Sequence, residues 1–232
     1  MKTLSVVIPV YNEEKTISKI ISHIKDVDLS HLGVTMEIIA VDDGSTDNTR
    51  DILQKIKGIR CIFHKHNIGK GGAMRTGIKE ASGDIIITQD ADLEYDPKDY
   101  EILIKPILEG KAKVVYGSRR LNNKDPKFTR FSYFVGGVGL TFATNILYPN
   151  AHITDEPTGY KVFSADVLKK IHLRCKRFEF CPEITAKVLK RGYKIHEVPI
   201  SYFPRSIKEG KKIKWNDGIE ALWTLLKYRF VD

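Results

Sequence analysis

The sequence predicts an α/β protein with a mostly parallel central sheet flanked by helices, in a single domain over residues 1–232. Three observations support this expectation. Apolar, β-branched runs of strand length alternate with segments of helical period through the first half. The connections are short, which implies parallel strands joined by right-handed crossovers. Several runs also stop abruptly at carboxylates, at the edge where open α/β sheets bind ligands.

The first half supplies strands and helices in strict alternation. Strands are predicted at Leu4–Val10, Met36–Val41, Ile59–Phe63, Ile85–Ile87 and Lys113–Tyr116. Helices are predicted at Glu13–Ile24, after a cap at Ser45 or Thr46, from the glycine-rich turn Asn67–Gly72 through Ala81, and at Pro97–Leu108. Apolar residues recur at helical spacing, as at Ile17, Ile20 and Ile24, so each helix has one face for the sheet.

The second half is less regular. A return to the sheet is expected at Pro157–Val162, helices at Ala165–Ile171 and Pro182–Arg191, and an extended segment at Lys194–Tyr202. A last helix carries one apolar stripe at Trp215, Ile219, Leu222, Trp223, Leu226 and Phe230. Phe131–Tyr148 has no charge and is long enough to raise the question of a membrane span. Its glycines and hydroxyl side chains favour a buried or interfacial helix, so no transmembrane domain is expected.

Composition narrows the range of partners and compartments. The chain has 38 basic and 29 acidic residues, a formal charge of +9, which favours anionic partners such as nucleotides, phosphorylated lipids, a membrane surface or nucleic acid. Its 42% hydrophobic residues suffice for a sizeable core. Cys61, Cys175 and Cys181 show no paired spacing, and the N-terminus lacks a signal-peptide pattern. A reduced, cytoplasmic protein is therefore expected.

The stretch Ile85–Pro97 indicates chemistry most directly. Its buried strand runs straight into Asp90, Asp92 and Glu94. Asp90 and Asp92 are two residues apart, so on an extended chain they project to the same side. Two carboxylates at a buried strand end repel each other unless a cation lies between them, and a hard divalent cation carrying phosphates fits. The alternative is a charged loop that starts the next helix with an Asp-Pro pair.

Three strand ends offer polar groups that would line one crevice of a parallel sheet. They are Pro9, Tyr11 and Glu13 after the first strand, Val41, Asp42 and Asp43 after the second, and Asp90, Asp92 and Glu94 after the fourth. Acidic strand ends suit ribose hydroxyls and a metal, and the sequence has no G-x-G-x-x-G or Walker pattern. We therefore expect a nucleoside held by carboxylates and a pyrophosphate held through metal. Helix capping would explain one such end better than three together.

Six motifs, taken in order, resemble one family. They are VVIPVYNEE, VDDGSTDNT, NIGKGGAMRTG, DADLEYDP, VVYGSR and TGYKVF. Together they resemble the family 2 inverting glycosyltransferases, from about Leu4 to about Phe230. Within that family, GKGGAMRTG and DADLEYDP are similar to the dolichyl-phosphate and undecaprenyl-phosphate sugar synthases. The resemblance implies a Rossmann-like, nucleotide-sugar-binding fold of the GT-A type and a divalent metal, Mg²⁺ or Mn²⁺.

The resemblance also implies which residues form the donor site. Contacts to the nucleotide sugar fall at Pro9, Tyr11, Glu13, Val41, Asp43, Asp90, Ala91 and Asp92. Asp90 lies on the nucleoside side, and Asp92 ligates the metal with help from Glu94. Some relatives carry glutamine at the Glu94 position, and the extra negative charge here should tighten metal binding.

Basic residues would supply the phosphate contacts. Arg119 follows the fifth strand and can face the crevice, and relatives use an arginine there on phosphates. Further candidates are Arg130 at the start of the uncharged helix, and Arg205, Lys211 and Lys212 in a glycine-containing loop that closes over donor and acceptor in relatives. Such groups lower the barrier by stabilising charge on the departing nucleoside diphosphate. The sequence leaves two roles open for Lys70, a contact to the ligand or an exposed residue of its turn.

The acceptor decides whether the reaction needs a base. A polyprenyl phosphate is already an anion at neutral pH and needs only arginines to hold it in line. A saccharide hydroxyl needs a group that takes its proton. Asp155 and Glu156 are the candidates for that role, but the pair could instead cap a turn or orient Arg119.

The predicted function is a metal-dependent inverting glycosyltransferase that moves a hexose from a nucleoside diphosphate sugar, of the GDP-mannose or UDP-glucose type, to polyprenyl phosphate. Asp92, Arg119 and Asp155 are its predicted catalytic residues. Alternatives are transfer to a saccharide hydroxyl in cell-envelope synthesis, or a non-catalytic binder, although the acidic crevice argues against nucleic acid. Apolar helices beside arginines suit peripheral contact with the inner face of a membrane. For the last helix, packing in the core or in a homodimer interface is favoured over that contact.

Overall fold

The computed structural model describes residues 1–121, 131–205 and 215–231. Its strands are β1 Lys2–Val10, β2 Val34–Asp42, β3 Arg60–Phe63, β4 Ile85–Thr88, β5 Val114–Ser118, β6 Lys161–Ser164 and β7 Ile195–Pro199. They form a seven-stranded sheet in the order β3-β2-β1-β4-β6-β5-β7. Among these described strands, only the pairings of β6 with β4 and β5 are antiparallel. The predicted mostly parallel sheet is confirmed.

Helices cover both faces of the sheet. They are α1 Ile17–Lys25, α2 Thr49–Lys55, α3 Lys70–Glu80, α4 Tyr100–Leu108, α5 Phe131–Leu147, α6 Ala165–Leu168, α7 Phe180–Lys190 and α8 Trp215–Phe230. Short 3-10 helices lie at Ser30–Leu32 and Pro97–Asp99. Within the described parts of the chain, no helix combines the length and the apolar character needed to cross a membrane.

The first strand shows why the sheet lies in the middle of the core. Leu4, Val6 and Ile8 pack into a cluster with α1, α2 and α4, whereas Val7 packs into a second cluster with α3 and α7. All four side chains are fully buried, as expected for a parallel strand covered on both faces. A third cluster joins α5, α7 and α8.

The strand β6 differs in its bounds from the return to the sheet expected at Pro157–Val162, and its direction is opposite to that of its neighbours. The strand covers Lys161–Ser164 and runs antiparallel, with Val162 opposite Ile87 of β4. An antiparallel strand starts at the edge where its parallel neighbours end. The turn before β6, residues 154–160, therefore lies at the carboxyl ends of β4 and β5. The backbone N–H of Gly117 in β5 donates to the carbonyl of Tyr160 at 2.9 Å and fixes this position.

The loops after β1 and β2 differ from the predicted helix starts because they are tied to each other. Asn12 has a φ of 50°, and α1 begins only at Ile17 instead of Glu13. Ser45 and Thr46 do not cap α2, which begins at Thr49. Instead, the Ser45 hydroxyl accepts from the Asn12 N–H at 2.9 Å, and the Thr46 N–H donates to Oδ1 of Asn12 at 2.8 Å. These bonds fix one wall of the crevice.

Gly77 sets how closely α3 packs on β1. A Cβ placed on Gly77 would clash with Cγ1 of Val7 in the core. We expect Gly77→Ala to lower the free energy of unfolding by about 1–3 kcal/mol through overpacking. Gly139→Ala in α5 is the matched control, because a Cβ there meets nothing within 4 Å, and it should raise the free energy of unfolding by up to about 1 kcal/mol. Urea titrations measure both, and equal effects would contradict the packing assigned to Gly77.

Candidate active site

The carboxyl ends of the strands meet in one crevice, where Arg205 joins two of them. The Arg205 guanidinium lies 3.1 and 3.2 Å from the carboxylate oxygens of Glu13, at the end of β1. It also lies 3.2 Å from Oδ2 of Asp92, which follows β4. The structure therefore brings together three residues that the sequence analysis placed in the site separately.

Asp92 lies where negative charge is most crowded. Burial and the nearby carboxylates of Asp90 and Glu94 raise the pKa of Asp92 to about 7, although Arg205 opposes the shift. One guanidinium thus does not balance the carboxylates at this point. The Asp92 side chain is 19% exposed, so a ligand can reach it.

This donor set fits a hard divalent cation. Among the described residues, no three carboxylate, imidazole or thiol groups converge on one point. Mg²⁺ is commonly held by one or two carboxylates, with substrate phosphates and water completing its shell. Asp92, with its excess of negative charge, would supply such a carboxylate to Mg²⁺ or Mn²⁺.

The turn after Asp92 gathers the crevice residues. Leu93 has a φ of 62°, which residues other than glycine rarely adopt. The backbone N–H of Glu94 then donates to Oδ1 of Asp92 at 3.1 Å. The Glu94 carboxylate accepts from the Tyr202 hydroxyl at 2.8 Å and from the backbone N–H of Arg205 at 2.9 Å. These bonds give Glu94 a positioning role, and its metal ligation stays a prediction.

Asp90 pairs with Lys70, the first residue of α3. Nζ of Lys70 lies 2.5 Å from Oδ1 of Asp90. Burial lowers the pKa of Lys70, but attraction to Asp90 outweighs this effect and raises the pKa above its ordinary value. Lys70 is therefore a charged group of the crevice and not merely an exposed residue of its turn.

Asp43 holds the wall of the crevice through its carboxylate. Oδ1 lies 2.8 Å from Nδ1 of His64 and accepts from the Ile68 N–H at 3.0 Å, while Oδ2 accepts from the Gly69 N–H at 2.7 Å. Both oxygens of Asp43 therefore hold the glycine-rich turn in place. The predicted contact of Asp43 with the donor stays a prediction.

The glycine-rich turn itself packs against protein. The N–H groups of Gly71 and Gly72 donate to the carbonyls of Arg177 and Lys176, at 2.9 and 3.0 Å. A Cβ on Gly69 would clash with the carbonyl oxygen of Lys176. The glycines thus allow close approach to the segment before α7, and these two N–H groups are not presented to a ligand.

The other predicted donor contacts lie at or near the crevice floor. Pro9 pairs with Val41 across β1 and β2. Val41 and Ala91 are 0% and 4% exposed, so the structure presents almost none of either residue to a ligand, and their donor contacts stay predictions. Tyr11 is half-buried just after β1. The predicted contacts at Arg130, Lys211 and Lys212 lie outside the described residues.

A second ion pair forms the opposite side of the crevice. Nε and Nη2 of Arg119 each lie 2.6 Å from an oxygen of Asp155, and the Arg119 backbone N–H donates to Asp155 at 3.0 Å. Burial alone would raise the pKa of Asp155, but Arg119 holds it below its ordinary value. The guanidinium also stacks over the ring of Tyr202, 4.9 Å from its centroid. A carboxylate bound in this way is a poor proton acceptor, which favours orientation of Arg119 over base catalysis.

Glu156, the other candidate base, lies behind the crevice. It is fully buried, and its Oε1 accepts from the Thr185 hydroxyl at 3.0 Å. Burial raises the pKa of Glu156, and its Oε2 has no hydrogen-bond partner in the described part of the chain. The carboxyl group is therefore not exposed to an acceptor in this structure, and its role as a base stays a prediction.

Sequence reasoning missed Arg120 and two tyrosines. The Tyr95 hydroxyl accepts from the Gly159 N–H at 2.8 Å, and its ring lies 5.4 Å from that of Tyr202. Nη1 of Arg120 donates to the carbonyl of Thr154 at 2.8 Å, while its buried Nε has no hydrogen-bond partner among the described residues. The run of two arginines after β5 could have marked Arg120, but no spacing marks the tyrosines.

Loss of the Asp155 carboxylate should destabilise the fold. Asp155→Asn leaves Arg119 buried without a countercharge and should lower the free energy of unfolding by about 3 kcal/mol at about pH 7. Asp166→Asn is the control, because its ion pair with Lys113 is exposed and should contribute less than about 1 kcal/mol.

The same comparison has a defined pH dependence. Because the pKa of Asp155 is lowered in the fold, its stabilisation is present above the ordinary value of 3.8 and is lost as the pH falls below it. Urea titrations of wild type and Asp155→Asn should therefore converge only as the pH falls below 3.8. A stability gap that stays constant with pH would count against the ion pair.

Comparison with known proteins identifies the family. Residues 5–172 match the Glycosyl transferase family 2 domain. The chain is 34% identical over 235 residues to the UDP-N-acetylglucosamine–dolichyl-phosphate N-acetylglucosaminyltransferase of Methanococcus voltae, covering 91% of each chain. It is 29% identical over 239 residues to the dolichyl-phosphate beta-glucosyltransferase ALG5D of Trichomonas vaginalis, covering 97% of this chain and 72% of that one.

A solved structure shares the fold. Glucosyl-3-phosphoglycerate synthase from Mycobacterium tuberculosis, in complex with Mn²⁺, uridine-diphosphate and phosphoglyceric acid, matches with a TM-score of 0.75 at 21% identity, over 100% of this chain and 80% of that one. This likeness confirms the expected GT-A-like architecture. The family match spans well over half of the sequence, and the chain belongs to Glycosyl transferase family 2 and is a glycosyltransferase.

Proposed function

We propose that this glycosyltransferase moves a hexose from a nucleoside diphosphate sugar to polyprenyl phosphate, with inversion and with Mg²⁺ or Mn²⁺ bound. The pair of Arg119 and Asp155 carries the proposal. The carboxylate that could have served as a base is committed to an arginine, and a phosphate is the acceptor that needs no base. Two relatives are named dolichyl-phosphate glycosyltransferases, which supports the same class of acceptor.

The donor would bind on the carboxylate side of the crevice. We assign Asp90 to the nucleoside and Asp92 to the metal, which when bound supplies positive charge to the departing nucleoside diphosphate. Arg205 spans Glu13 and Asp92 and so holds two strand ends at a fixed separation. Of the GDP-mannose and UDP-glucose types, the uridine nucleotide in a relative's name supports the second.

The acceptor phosphate would bind on the arginine side. Arg119 is held in place by Asp155 and Tyr202. Arg120 has no carboxylate at ion-pair distance in the described part of the chain, and burial lowers its pKa although Asp155 attracts it. A phosphate oxygen bound at this half-buried side chain would add a charge-assisted contact. We therefore assign both arginines to the acceptor phosphate.

The alternative acceptor, a saccharide hydroxyl, makes a different demand on the site. Asp155 would have to break its pair with Arg119 before it could accept a proton. A lipid phosphate instead implies peripheral contact with the membrane that holds it, which we also propose.

Asp92→Ala should remove the metal-dependent reaction. We expect transfer of labelled hexose to polyprenyl phosphate to fall by about a hundredfold or more, because charge on the leaving group is no longer balanced. Thermal stabilisation by UDP-sugar with Mn²⁺ should be lost as well. Asp51→Ala, an exposed carboxylate of α2, is the control and should keep both properties. Full transfer activity in Asp92→Ala would contradict the proposed function.

Arg120→Gln should weaken binding of the acceptor and leave binding of the donor unchanged. We expect the KM for polyprenyl phosphate to rise about tenfold through loss of a charge-assisted contact, with the KM for the donor unchanged. Lys113→Gln removes an exposed positive charge at the opposite edge of the sheet and should change neither constant. Equal changes in the two KM values for Arg120→Gln would show that Arg120 only supports the fold.

A further inference from the structure

Glu197, a half-buried residue of β7, binds the backbone of the turn before β6. Its Oε2 accepts from the N–H of Thr154 at 2.7 Å, and its Oε1 accepts from the N–H of Asp155 at 3.1 Å. These two N–H groups follow each other in the chain, and each has its own carboxylate oxygen. Glu197 therefore holds two successive residues of the turn at once.

The same two residues hold the two arginines of the acceptor side. The Asp155 carboxylate binds the guanidinium of Arg119 through both of its oxygens. The carbonyl oxygen of Thr154 accepts from Nη1 of Arg120 at 2.8 Å. A displacement of this part of the turn would therefore move both guanidinium groups, and Glu197 acts on them through the turn.

The hydroxyl of Ser118 adds a second link at the same place. Its Oγ lies 2.6 Å from Oγ1 of Thr154 and accepts from the backbone N–H of Arg120 at 3.2 Å. Ser118 is the last residue of β5, and Tyr116 of that strand lies opposite Glu197 in β7. The turn is thus bonded to both strands, and Glu197 supplies the bonds from β7.

A carboxylate at this position has an electrostatic cost. Burial and repulsion from Asp155 raise the pKa of Glu197, whereas the two N–H groups favour its ionised form. A carboxylate offers one acceptor oxygen to each N–H group, while a glutamine offers a single oxygen and would turn its own amide N–H toward the other. The geometry thus uses a carboxylate where the charge of Asp155 disfavours one, which indicates that the position of the turn matters.

We propose that Glu197 is a positioning residue for the acceptor phosphate, which keeps the guanidinium groups of Arg119 and Arg120 in the arrangement that receives it. This inference rests on the proposed function, which assigns both arginines to that phosphate. An effect of the negative charge of Glu197 alone would oppose the binding of an anion. A positioning role has the opposite sign, because a displaced guanidinium loses its directed bonds to the phosphate.

Glu197→Gln tests the proposal in transfer assays and in direct binding. We expect the KM for polyprenyl phosphate to rise at least about threefold, and the KM for the donor to stay unchanged, because the backbone pairing of β7 with β5 does not involve this side chain. The Kd of a water-soluble, short-chain polyprenyl phosphate, measured by calorimetry without donor, should rise as well. Glu197→Asp keeps the charge on a shorter side chain and should give an intermediate rise, and it carries the comparison if Glu197→Gln does not fold.

Glu37→Gln is the matched control. Glu37, half-buried in β2, also accepts from two successive backbone N–H groups, those of Ser82 at 2.7 Å and Gly83 at 2.9 Å, just before β4 begins. Both variants should lose stability in urea titrations, since each loses a carboxylate bound to the backbone. The acceptor KM should rise only in Glu197→Gln.

A double-mutant cycle separates positioning from a general loss of structure. In the Arg120→Gln background, Glu197→Gln should raise the acceptor KM less than it does in wild type, because part of its effect acts through Arg120. Equal effects in the two backgrounds would overturn the positioning role. So would an acceptor KM that stays unchanged or falls, or a rise of the same size in both KM values.

The binding assay distinguishes this proposal from the proposed function. Weaker binding of the short-chain phosphate by Glu197→Gln, without any hexose transfer by wild type, would uphold the positioning role and overturn the proposed function. Transfer by wild type with equal binding of the phosphate by both proteins would overturn the positioning role alone.

Discussion

Charge balance at the carboxyl edge of the sheet is the constraint on which the rest of the site depends. The parallel strands end at one edge of the sheet, so Glu13, Asp92 and Glu94 lie close together in a partly buried place. Burial of like charges is unfavourable without cations. The positive charges are Lys70, at the start of α3, and Arg205, in the segment after β7. The remaining negative charge at Asp92 is what makes the crevice suited to a divalent ion and its phosphates.

The reversed strand β6 divides the crevice into two chemically different sides. Because β6 runs against its neighbours, the turn before it places Asp155 beside the end of β5. There Asp155 is bound by Arg119, so the acidic turn strengthens an arginine site and does not supply a free base. One side of the crevice is thus rich in carboxylates and the other in guanidinium groups. This separation supports the proposed transfer, in which a nucleoside diphosphate would leave on the carboxylate side and an anionic acceptor would bind on the arginine side.

The sequence was most informative where local pattern decides the structure. Periodicity predicted the strands and helices of the first half, and the acidic strand ends predicted the crevice. Such local patterns could not predict the contact between Arg205 and Asp92. These residues are 113 positions apart, and only the folded chain brings them together. An apolar run does not encode strand direction, so the reversal of β6 was missed. Likewise, a motif places Asp43 at the crevice but cannot reveal that its oxygens bind the backbone of Ile68 and Gly69.

The most direct test of the central claim compares two acceptors that differ only in the phosphate. The purified protein would be given labelled UDP-sugar and Mn²⁺ together with either a polyprenyl phosphate or the polyprenol of equal chain length. A site without a free base, with Arg119 and Arg120 on the acceptor side, should glycosylate the phosphate and leave the alcohol unmodified. Transfer to the alcohol at a comparable rate would contradict this account, because it would require a proton acceptor that Asp155, bound to Arg119, does not provide.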